Sequence, residues 1–145
     1  MDPQVIDQKL ESLRRCLVRI ESKQPFDAEQ LADDFDLQDI VSLNLTRAVQ
    51  MAVAIGAHIA ASQNQPGPAT MAETFDQLHG MGVITADLAV QLKKSVGFRN
   101  IAVHNYSTIN WQVVNAIIAG HMDDFKDFAR AVSLWQAGPS RQAKT

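Results

Sequence analysis

The chain has 145 residues, a length that suits one domain, and 46% of them are hydrophobic, enough to bury a core. Thirteen Lys and Arg against sixteen Asp and Glu give a net charge of -3, which argues against a general nucleic-acid coat but leaves room for a small phosphate-handling site. A single cysteine, Cys16, excludes an internal disulfide, and with no secretory leader in view a reducing cytoplasm is the expected home.

Pro3 suits the first turn of a helix. Val5, Ile6, Leu10, Leu13, Leu17 and Ile20 follow at near-helical spacing, and Cys16 on that stripe reads as core. Pro25 in "SKQPF" ends this helix, and Asp27 reads as the N-cap of a short turn through "AEQLAD". A second long helix is predicted from about Asp36 to Ala61. Its apolar residues, among them Leu37, Val41, Leu45, Val49, Val53 and Ile59, cover more than one face. Such a helix lies at the centre of a bundle or is shared between subunits. Its most apolar run, "AVQMAVAIGAHIAA", is broken by Gln50 and His58 and falls short of the roughly 18 residues of a membrane span. Asp36 and Asp39 suit the positive end of the helix dipole. Asn44 and Arg47 are candidates to hydrogen-bond toward the helix that carries Arg99 and His104.

"SQNQPGPAT" reads as a loop, followed by a short helix from Met71 to His79 that Gly80 and Gly82 end. Thr85 caps the next helix, whose stripe is Leu88, Leu92 and Val96. "NYSTIN" interrupts the pattern, with Ser107 or Asn110 capping a last helix over 111–135 that carries Trp111, Val114, Ile118, Met122, Phe125, Phe128 and Val132. The expected architecture is an all-α bundle of four main helices plus a short one, spanning 1–136, with a flexible polar tail at 137–145.

The stretch "GFRNIAVHNYSTIN" places Arg99, Asn100, His104 and Tyr106 where core residues are expected. Arginine offers a permanent forked charge that fits phosphate oxygens. Histidine exchanges a proton near neutral pH. Together they suffice for RNA cleavage without a metal: one moves a proton at the 2′-hydroxyl or the leaving oxygen, the other stabilises charge on phosphorus. Five residues on a continuous helix turn through about 140° net, so the two side chains diverge. Either the helix is irregular here, which Gly97 would permit, or a second chain completes the site, so that in a two-fold dimer both copies line one cleft. Lys94 is a candidate to guide RNA, with Lys93 a solvated neighbour. His58 falls on an apolar helix and reads as a core or interface histidine. His58, His79 and His121 lack metal-ligand spacing with a Cys or carboxylate, so no metal and no cofactor are expected.

"RNIAVHNY" is similar to the Arg-x4-His-x-Tyr motif of HepT-like toxins of the HEPN family. "DIVSLNLTRAVQMAVAIGAHIAA" and "TFDQLHGMGVIT" resemble the same family, and the likeness spans about residues 1–135. The resemblance implies a homodimeric HEPN bundle and the toxin of a toxin–antitoxin pair. It implies a metal-independent ribonuclease, with tRNA the expected target and no DNA or membrane partner. It also implies an MntA-like nucleotidyltransferase antitoxin that silences the toxin by transferring AMP to the motif tyrosine. Carried onto this chain, Arg99 and His104 are catalytic, Asn100 is the polar residue beside the arginine, and Tyr106 is the modified position. The rival reading is a non-enzymatic helical partner, or a nucleotide-binding subunit of a nucleotidyltransferase, in which the motif only docks ATP or AMP.

Overall fold

The computed structural model describes residues 3–144, with side chains through Gly138. Its helices are α1 (Pro3–Glu21), α2 (Ala28–Asp33), α3 (Phe35–Ser62), α4 (Met71–Gly80), α5 (Ala86–His104) and α6 (Trp111–Lys144), with a 3-10 turn at Tyr106–Thr108. The four long helices and the short α4 match the expected bundle, and no strand occurs among the described residues.

Local chemistry sets the boundaries. Asp27 and Gln30 form a reciprocal capping box at α2. Asp34 caps α3 by accepting from the Leu37 amide at 3.0 Å, so the helix begins just ahead of the expected Asp36. Thr70 caps α4 and Thr85 caps α5. Gly82, at φ +79°, supplies the left-handed turn between those two helices. Asn110 accepts from the amides of Gln112 at 3.0 Å and Val113 at 3.3 Å, which selects Asn110 over Ser107 as the start of α6.

α3 is the axle and packs against all five other helices. An 18-residue window of it reaches a mean hydropathy of 1.4, which by length and composition alone meets the requirement for a membrane span. Its buried residues, including Val41, Leu45, Val49, Ala52, Ile55 and Ile59, face the surrounding helices. The apolarity therefore belongs to a bundle's core helix. Gly56 lets α4 approach: a β-carbon there would lie 2.6 Å from Thr74 Cγ2. Phe75 of α4 meets Phe128 of α6 edge-on at 6.1 Å, and both are fully buried.

Two expectations need correction. α6 does not end at 135 but continues as helix as far as Lys144. Thr145 lies outside the described residues. Asn44 does not reach toward α5 but donates to the Ile40 carbonyl of its own helix at 2.8 Å. Arg47 is exposed and lies near Cys16 of α1, where its charge partly offsets the burial that pushes the Cys16 thiol up.

Candidate active site

The site forms where α5 stops. Asn105 leaves helical geometry at φ -154°, while its amide still donates to the Ile101 carbonyl at 2.8 Å. The Asn105 carbonyl then accepts from both the amide and the hydroxyl of Thr108, at 3.0 and 2.8 Å, which closes the 3-10 turn. Ile109 anchors that turn in the core. His104 is thus the last residue of α5, and Tyr106 is the first residue of the turn that reverses the chain.

α5 runs unbroken through Gly97, so the irregular-helix explanation for the motif is wrong. Glycine in a helix interior costs about 1 kcal/mol relative to alanine, and the intact hydrogen-bond ladder on both sides absorbs that cost. Arg99 and His104 consequently sit at about 140° to one another around the helix axis. Arg99 is half-buried, and one guanidinium nitrogen donates to Asn100 Oδ1 at 3.1 Å. Its Nε is buried without a partner, and among the described residues no carboxylate neutralises it. A permanent cation left uncompensated in this way suits an anion that arrives from outside. The His104 ring is exposed and makes no hydrogen bond among the described residues.

Tyr106 is placed differently. Its Oη donates to Asp39 Oδ1 at 3.0 Å and accepts from Ser42 Oγ at 3.4 Å, both on α3. Its ring meets Trp111 edge-on at 5.9 Å. It lines a shallow cavity of about 350 Å³ with Asp39, Ser42, Leu43, Thr46, Ala102 and Val103. Burial pushes the phenol above its ordinary pKa; the Ser42 bond pulls it down, and the Asp39 bond and charge push it up again. Leu43 and Val103, each 49% exposed, leave an apolar rim around a tyrosine that is 40% exposed.

Asp39, Ser42 and Trp111 were not singled out from the sequence as site residues. From its sequence position Asp39 is a helix-dipole charge, and no local pattern ties it to a residue 67 positions away. Lys94 does not join this site: it lines a separate cavity between α5 and α6 with Phe98, Ile101 and His121. Lys93 pairs with Asp76 at 2.9 Å. His58 is half-buried with Nε2 unpartnered, and His121 lies 3.0 Å from Asp124. Among the described residues no three His, Cys, Asp or Glu stand close enough together to hold a metal ion.

A family model described as ribonuclease HepT-like matches residues 7–132, nearly the whole bundle including the motif helix and the turn after it. The chain belongs to the HepT-like ribonuclease family. Among its HepT relatives, the mRNA nuclease HepT of Shewanella oneidensis is 37% identical over 124 residues, covering 86% of this chain and 92% of the relative. The tRNA nuclease HepT of Aphanizomenon flos-aquae is 26% identical over 135 residues, covering 93% and 92%. A solved structure of the tri-AMPylated HEPN toxin of Shewanella oneidensis in complex with MNT antitoxin is similar at 35% identity. Its TM-score is 0.84, with 92% of this chain and 98% of that chain covered. The likeness to these toxins agrees with the all-α bundle of this chain.

Proposed function

We propose that this protein is the toxin of a toxin–antitoxin pair: an RNA endonuclease that works without a metal as a homodimer, and that a minimal nucleotidyltransferase silences by placing AMP on Tyr106. The observation that carries the reading is the uncompensated Arg99 guanidinium on the same helix end as an exposed His104, with Tyr106 just beyond. The relatives support the activity class, being named an mRNA and a tRNA nuclease. RNA is therefore the substrate class, and the two names divide over which RNA. The similar solved structure supports the control, since it is described as an AMPylated toxin bound to MNT antitoxin. The cytoplasm, where RNA and ATP meet, is the compartment this reading requires.

In the reaction, the 2′-oxygen of the RNA attacks the adjacent phosphorus, a 2′-O–P bond forms, and the bond to the 5′-oxygen breaks. His104 moves the proton, either from the attacking hydroxyl or to the leaving oxygen. Arg99 holds the non-bridging oxygens and stabilises the charge that grows on them. The two side chains leave the helix about 140° apart, which works against both reaching a single phosphate from one chain. A second copy related by a two-fold axis supplies the missing group. An adenylyl group on Tyr106 adds bulk and a negative charge close to His104, blocking the substrate's phosphate and competing for Arg99.

His104→Ala, at an exposed position, should keep its helix content and lose cleavage of labelled RNA in EDTA by about 10²-fold or more. Undiminished cleavage removes His104 from the mechanism. Tyr106→Phe should gain no AMP at that position, and antitoxin with ATP should not reduce whatever cleavage it has. Binding of ATP by the wild-type chain without any RNA cleavage would instead favour the non-enzymatic reading.

A further inference from the structure

We propose that Asp39 accepts the phenolic proton of Tyr106 during adenylyl transfer, so that the toxin supplies its own base for the reaction that silences it. This rests on Tyr106 being the modified residue, as argued above, and adds to it a residue from a different helix.

The geometry is specific. Tyr106 Oη already donates to Asp39 Oδ1 at 3.0 Å, within the reach required of a general base. The Asp39 carboxylate is exposed, pairs with no Lys or Arg among the described residues, and so keeps lone pairs free to take a proton. Ser42 Oγ donates to the same phenolic oxygen at 3.4 Å, and Trp111 stands edge-on against the ring at 5.9 Å. Two hydrogen bonds from α3 therefore fix the hydroxyl and Trp111 of α6 fixes the ring, yet the residue stays 40% exposed, open to a nucleoside triphosphate brought from outside. Asp39 is the one carboxylate in contact with that hydroxyl among the described residues.

The step balances. Tyr106 Oη attacks the α-phosphorus of a nucleoside triphosphate held by the antitoxin, and an Oη–P bond forms. The bond from the α-phosphorus to the bridging oxygen breaks, and pyrophosphate leaves with its electron pair. The phenolic proton passes to Asp39 Oδ1. As the Oη–P bond grows the phenol becomes steadily more acidic, so transfer to a carboxylate becomes favourable at that point. Once Asp39 returns its proton to water, a carboxylate faces a phosphodiester anion across a hydrogen-bond distance. Like charges so close repel, and the modified side chain leaves the α3 cavity.

The test uses the full-length chain with purified antitoxin, saturating ATP and magnesium, and intact-mass detection of AMP at Tyr106 over time. Asp39→Asn keeps an oxygen that can accept the hydrogen bond but is a far weaker base. It should slow transfer by about 10²-fold or more, and Asp39→Glu should recover part of the rate. Circular dichroism and the thermal midpoint should match wild type for both variants, since Asp39 is on the surface. Transfer to Asp39→Asn at the wild-type rate overturns the assignment. So does an Asp39→Glu variant as slow as Asp39→Asn, because the loss would then follow shape and not basicity. Failure of the wild type itself to take AMP at Tyr106 is a separate outcome, which overturns the modification reading and the base with it.

Discussion

Tyr106 is the single tyrosine of the chain, so ultraviolet absorbance reports its titration without interference from another phenol. Its midpoint should lie above the ordinary 10.0, because burial and the neighbouring Asp39 outweigh the Ser42 bond. A folded-state pKa raised in this way contributes stability that is complete below the unfolded value and is lost as pH rises through the folded value. The dependence therefore belongs to the alkaline side. Asp39→Asn should bring the midpoint down; a variant midpoint equal to wild type would contradict the contact. At this scale, the sequence carries Arg99, Asn100, His104 and Tyr106 plainly, because their spacing is local. It does not carry Asp39 or Ser42, because a tertiary hydrogen bond from α3 to the turn after α5 leaves no trace in local periodicity.

Among the helices, two glycines give opposite expectations for one substitution. At Gly97 a β-carbon would meet nothing within 4 Å, so Gly97→Ala should stabilise the isolated chain by up to about 1 kcal/mol through backbone entropy alone. At Gly56 the same carbon would lie 2.6 Å from Thr74 Cγ2 and 2.9 Å from Leu78 Cδ1, with both residues fully buried. Overpacking of about 1–3 kcal/mol then exceeds the helix-propensity gain, and Gly56→Ala should lower the melting temperature. Thermal denaturation of the two variants checks the pair; a rise in both would mean that α3 and α4 are not in such close contact. Caps were the most legible feature: Asp27, Thr85 and Asn110 each act where hydrogen-bonding logic puts them. Helix ends set by composition were less so. The turn-like "AGPS" falls inside α6, which runs on to Lys144.

Over the whole molecule, the core is one cluster organised on α3, and Phe75 and Phe128 tie α4 to α6 within it. Phe128→Ala should cost about 3–5 kcal/mol, read as a loss of urea resistance with the helical bundle retained at low denaturant. The all-α bundle was legible because α1 and α6 carry apolar stripes at helical spacing and α3 is apolar along most of its length. The expectation of a second subunit rests on the divergence of Arg99 and His104 around one helix, since the apolar faces of α3 are taken up largely within the bundle. That divergence makes the central claim testable in one experiment. Arg99→Ala and His104→Ala chains, each inactive as a homodimer, are mixed and the heterodimer is isolated with two affinity tags. A cleft built from both subunits predicts that the heterodimer regains RNA cleavage, since one intact Arg99 and one intact His104 meet across the axis. A heterodimer as inactive as either parent would contradict a shared cleft and confine the chemistry to groups within a single chain.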